Sequence, residues 1–116
     1  MLDKSANYTI VAADQGTLFR GNTGSGAITA GSLGILNASS VTLDATGNNV
    51  GTVAASGTGA LTYVDSDALT IGTVGATNGI NASGAVRVET QSGSLTVAQN
   101  IATTDTGSSA LTLNAD

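Results

Sequence analysis

The residues able to do chemistry in this 116-residue chain are few, and their scarcity is the first finding. There is no His and no Cys, and the cations are Lys4, Arg20 and Arg87. A serine nucleophile needs a neighbouring base, and the sole lysine sits four residues from the start. The carboxylates Asp44, Asp65, Asp67, Glu89 and Asp105 are scattered, whereas acid–base cleavage of a glycosidic bond needs two held at a set separation. No catalytic residues, no cofactor and no enzyme activity are expected.

One acidic group raises a metal question. Asp65-Ser66-Asp67 lies in a turn, and the repeat described below brings Glu89 beside Val64. Asp65, Asp67 and Glu89 are therefore the candidate oxygen ligands for Ca²⁺, weighed against a plain solvated turn. The Gly-rich nonapeptide of Ca²⁺-binding β-rolls is absent. Arg87 is expected to face outward and pair with Glu89 along one strand, a contact of small energetic weight.

Threonine and asparagine offer weaker signals. Thr42, Thr70 and Thr96 form one expected outward column, and Thr62, Arg87 and Thr112 another. Flat threonine arrays order ice, but Thr is also a good exposed strand residue, and Arg87 breaks the second column. Asn7-Tyr8-Thr9, Asn37-Ala38-Ser39 and Asn81-Ala82-Ser83 match the glycosylation acceptor pattern, which arises readily by chance in so Ser/Thr-rich a chain. Asn48-Asn49 and Asn78-Gly79 read as turn chemistry.

What must position these groups is a repeat. Leu61, Val86 and Leu111 lie 25 residues apart in turn, and Leu43, Leu69 and Leu95 lie 26 apart. Ile10, Ile35 and Leu61 continue the first column backward, Leu18 precedes Leu43, and Ile28, Val53, Ile80 and Ile101 form a looser third column. Within each phrase the period is two. Leu61/Tyr63, Val86/Val88 and Leu111/Leu113 are expected inward, as are Val41/Leu43, Leu69/Ile71 and Leu95/Val97. Gly and Asn punctuate the phrases, and no apolar helical period survives three turns without Gly.

These features predict an all-β fold, a parallel β-helix or β-solenoid. Each coil has about 25 residues and three short strands, roughly four coils in all, with uncapped ends. One coil alone buries too little to fold, so stability must come from stacking. An immunoglobulin-like sandwich would explain the alternation but not the columns. The composition agrees: 41% hydrophobic, 3% aromatic, 9% charged, 16 Gly and no Pro. The net charge of −5 argues against nucleic acid and anionic membrane as partners, and no apolar run approaches a membrane span. The start lacks the apolar stretch of a secretory signal, so export would require a signal outside this chain.

The stretches "LNASSVTLDATGNNVGTVAASGTGALTYVDSDALTIG" and "GINASGAVRVETQSGSLTVAQNIATTDTGSSALTLNA" resemble internal repeats of very large bacterial exoproteins of the filamentous-haemagglutinin type. The likeness covers residues 33–116. It implies a right-handed parallel β-helix forming the shaft of a secreted or cell-surface adhesin. Residues 6–29 are weakly similar to short β modules of phage tail fibres. They are either the first coil of one solenoid over 1–116 or a separate module joined near Ala30. The expected partners are neighbouring repeats or other copies stacking end to end through unpaired strand edges, or host and cell-surface glycans and proteins. The alternatives to a shaft are a self-assembling filament subunit and a carbohydrate- or ice-binding surface.

Overall fold

Alternation of aliphatic and hydroxyl residues makes the strands, and Gly and Asn make the corners between them. The computed structural model describes residues 7–11, 18–20, 28–44 and 46–116, the first two segments by backbone alone. In chain order the strands are β1 (Asn7–Val11), β2 (Leu18–Arg20), β3 (Thr29–Leu36), β4 (Ser40–Leu43) and β5 (Asn49–Thr58). There follow β6 (Ala60–Asp65), β7 (Leu69–Ile71), β8 (Thr73–Val74), β9 (Thr77–Asn78) and β10 (Ile80–Ala82). The last are β11 (Val86–Thr90), β12 (Leu95–Val97), β13 (Ile101–Thr103) and β14 (Leu111–Ala115). Among the described residues there is no helix.

The strands stack in parallel as a β-solenoid of about four turns. One sheet runs β1-β3-β5-β10-β13, with β7 and β12 continuing beside β5. The other runs β2-β4-β6-β11-β14. In the third coil β5 is one ten-residue strand. The next coil matches it with two short strands, β7 against Thr52 and Val53 and β10 against Ala55 to Thr58. Three strands per coil are thus present in the upper coils, while below them two sides of the coil run as one strand.

Between β7 and β10 the chain makes a detour, the antiparallel hairpin β8–β9. Its two-residue loop begins at Gly75 with φ 61°, the positive angle that a type II′ hairpin turn requires of its first residue. Val74 in this hairpin is buried.

Register settles which columns are real. Leu61–Val86–Leu111, Leu69–Leu95, Ile10–Ile35 and Ile80–Ile101 are neighbours as the spacing predicts. Other expected steps are corrected. Ile35 stacks on Ala55 rather than Leu61, Leu43 on Tyr63 rather than Leu69, and Leu18 on Ser40 rather than Leu43. Val53 lies beside Leu33 and Ile71, not Ile28 and Ile80. The cause is unequal coil length. The second coil advances only 20 residues, from Val41 to Leu61, while the third advances 25, from Leu61 to Val86. The mean step is about 22 residues.

The interior is a continuous aliphatic column: Leu33, Ile35, Val41 and Leu43, then Val53, Leu61 and Tyr63, then Leu69, Ile71, Ile80, Val86 and Val88, all buried. Leu95 and Ile101 of the last coil pack on it, partly buried. Outward threonines are half-buried or exposed. This division fixes the response to substitution. Leu69→Asp places an unpaired charge in the core and should lose on the order of 4 kcal/mol or more. Thr96→Lys on the exposed face should change stability by less than about 0.5 kcal/mol. Urea melts of the two variants check the ranking; the reverse order would invert the two faces.

Candidate functional site

Two corners of the coil carry the polar chemistry. At the first, where the β4–β6 sheet turns into the β3–β5 sheet, Asn48 and Asp65 are both buried completely. The Asn48 amide donates to the carbonyls of Leu43 (3.1 Å) and Val64 (2.9 Å) and accepts from the Ile28 N–H (2.9 Å). Asp65 Oδ2 accepts from the Val50 N–H at 2.9 Å and from the Tyr63 hydroxyl at 2.6 Å, and Oδ1 accepts from the Asp67 N–H at 3.0 Å. This is a side-chain plug that pairs the backbone groups a sharp corner leaves without ladder partners.

The candidate calcium ligands do not come together. Asp65 faces inward with both oxygens engaged, Asp67 is exposed and accepts from the Ala68 N–H, and Glu89 points outward. Glu89 does lie beside Val64 in register, but alternation puts its side chain on the opposite face from Asp65. No three acidic groups come together among the described residues. Glu89 instead pairs with Arg87 at 2.6 Å, as the sequence predicts, and accepts from the Gln91 side chain. Nor is the Asp65 turn simply solvated, because Tyr63, a residue whose hydroxyl needs a buried partner, draws the carboxylate inside. Lys4 lies outside the described residues, as does Asp3.

The threonine columns are also rearranged. Thr42 stacks with Thr62, Arg87 and Thr112. The other column is Ser32, Thr52, Thr70 and Thr96. Each is a single rank of hydroxyls, and Arg87 still interrupts one of them.

The second corner holds an open groove of about 470 Å³. Asn37 and Ser39 of the second coil line one side, Asn81 and Ser83 of the fourth the other, with Thr104 beyond them. Between them runs Gly57-Thr58-Gly59 of the third coil. Asn37 and Gly57 take left-handed φ of 59° and 69°, tolerated by Asn and free for Gly. Gly59 has no room for a side chain, since a Cβ there would stand 1.9 Å from the Ser39 carbonyl oxygen. Ala38 and Ala82 point into the core while Asn37, Ser39, Asn81 and Ser83 are exposed. Thr58 is buried, and its Oγ1 is the buried side-chain polar atom left without a partner among the described residues. Such a group costs about 1–3 kcal/mol.

The two Asn-Ala-Ser segments were legible only as acceptor-pattern matches. That they meet on one corner depends on the short second coil, which the spacing alone does not show. The signal available was the duplication itself.

Comparison with protein families, curated proteins and solved structures finds no match.

Burial, reinforced by the charge and hydrogen bond of Asp65, pushes the Tyr63 hydroxyl far above its ordinary range. Burial also pushes the Asp65 carboxyl up, against the opposing bonds from Tyr63, Val50 and Asp67. A group whose folded pKa is raised contributes stability below its unfolded pKa and loses it as pH rises toward the folded value. For Tyr63 the loss therefore begins near pH ~10, the value of an unfolded tyrosine. For Asp65 the raised pKa means its titration favours the fold as pH falls through the carboxylate range. Stability should fall above pH ~10, with a shallower alkaline limb in Tyr63→Phe, when denaturation is followed across pH. Asp65→Ala strands three donors and should cost on the order of 3 kcal/mol in urea melts, against little change for Asp67→Ala.

Proposed function

We propose that this chain is a structural segment, part of the shaft of a secreted or cell-surface bacterial adhesin or exoprotein, with no catalytic task. The observation that carries this reading is that its cohesion lies between coils, and the last coil still offers the same surface upward. Leu111 and Leu113 continue the column whose lower members, Leu61, Tyr63, Val86 and Val88, are buried. Yet Leu111 and Leu113 are 45% and 40% exposed, and Val97 of the same coil 48%. Solvent-facing aliphatics in register with a core are what a further coil would cover. The texture of residues 33–116, similar to filamentous-haemagglutinin-type repeats, supports the same conclusion and an extracellular setting.

The partners in this reading are adjoining coils, from the same polypeptide or from another copy. The second reading, a filament subunit that stacks end to end, rests on the same exposed aliphatics and differs in whether growth continues. The dispersed carboxylates and the lack of His and Cys weigh against an enzyme.

Sedimentation over a wide concentration range tests the coil face as a joint. Association should rise with concentration and disappear in the Leu111→Lys, Leu113→Lys double variant, which places charge on the face. A plateau at dimer favours the shaft segment, and unbounded growth the filament. A strictly monomeric parent at the highest soluble concentration would overturn both.

A further inference from the structure

The second corner is more than a turn. Its groove is lined on one side by Asn37 and Ser39 and on the other by Asn81 and Ser83, the flanks of two identical Asn-Ala-Ser segments. In each the alanine is buried and the two polar residues are exposed, Asn37 from a left-handed turn and Asn81 from β10, with the Ser83 hydroxyl also donating to the Thr58 carbonyl at 3.3 Å. The segments belong to the second and fourth coils, two steps of the stack, or about 9.6 Å at the spacing of neighbouring strands. Gly57 and Gly59 keep the intervening coil bare. We infer that this groove binds a neutral oligosaccharide laid across the coils, with one Asn/Ser pair gripping each end of a disaccharide-length unit.

The chemistry selects this ligand class. Among the described residues no lining group is charged or aromatic, which disfavours ionic ligands and flat apolar ones. Amides and hydroxyls both donate and accept, matching a ligand made of hydroxyl groups. An added peptide strand is disfavoured because the backbone here is already committed. Asn37 N–H donates to the Ser56 carbonyl, Gly59 N–H to Ala38, Ser83 N–H to Thr58 and Thr104 N–H to Ala82. Recognition must therefore come from side chains. The Thr58 hydroxyl, without a partner among the described residues, lies buried beneath the groove.

The inference does not rest on the shaft reading, since the groove lies on the flank of the stack and needs no second copy. Titration calorimetry with cellotetraose, chitotetraose and maltotetraose tests it, with a heparin-derived tetrasaccharide as the anionic comparator. At least one neutral tetrasaccharide should bind saturably, at least tenfold more tightly than its monosaccharide. Asn37→Gly, which keeps the left-handed backbone, combined with Asn81→Ala should weaken that binding at least tenfold while the melting temperature holds. Should the double variant unfold, Asn81→Ala alone is the readout, with a loss of threefold or more. Failure of every neutral tetrasaccharide to bind would overturn the inference. So would binding of the heparin fragment alone, or unchanged affinity in the folded variants.

Discussion

The parallel ladder between coils is the constraint on which everything else depends. Apart from the β8–β9 hairpin, each strand finds its hydrogen-bond partners one coil away, so the backbone cannot be satisfied within a coil. That forces like positions into register, and register in turn forces the alternation: every inward residue must tolerate the inward residue above and below it. Leu61 on Val86 and Val41 on Leu61 are the result. The slender core, with Tyr63 the largest fully buried side chain among the described residues, follows from the same rule, because bulky rings stacked one coil apart would crowd the interior.

Corners are where that rule relaxes, and the two described here solve the problem in opposite ways. At one, Asn48 and Asp65 bring side-chain donors and acceptors inside to replace missing ladder bonds. At the other, Asn37 and Gly57 take left-handed backbone and keep the ladder bonds, with Asn37 N–H still reaching Ser56. The first corner becomes a sealed polar plug. The second becomes an open groove lined by exposed amides and hydroxyls.

The fold was legible in the sequence because a solenoid writes its period openly. Leu61, Val86 and Leu111 are equally spaced and truly stacked. The failures share one cause. The spacing sets Ile35 against Leu61, but coils differ in length and the ladder places it on Ala55. Nothing local marks the short second coil; only the match of Ser40-Val41-Thr42 to Ala60-Leu61-Thr62 reveals it. Asp65 departs from the solvated-turn expectation for another reason. Carboxylates in turns are normally solvated, and the inward pull of Tyr63 is a tertiary contact between residues two apart that also requires Val50 from the start of β5.

These particulars locate where such a scaffold has freedom to acquire activity. The inward face is committed to packing and the backbone to the ladder. Along the outward columns, substitution changes little in the fold, but a single hydroxyl rank offers a ligand only one line of contacts. A corner differs, since residues from several coils converge there at a fixed rise, and their exposed groups are held by backbone that cannot shift without breaking the stack. Change of sequence at Asn81 therefore alters the surface without altering the support, whereas Asn37 also carries the left-handed turn and Ser83 also bonds the Thr58 carbonyl. The rigidity that makes a solenoid a good shaft also makes its corners good places to hold polar groups at a set separation.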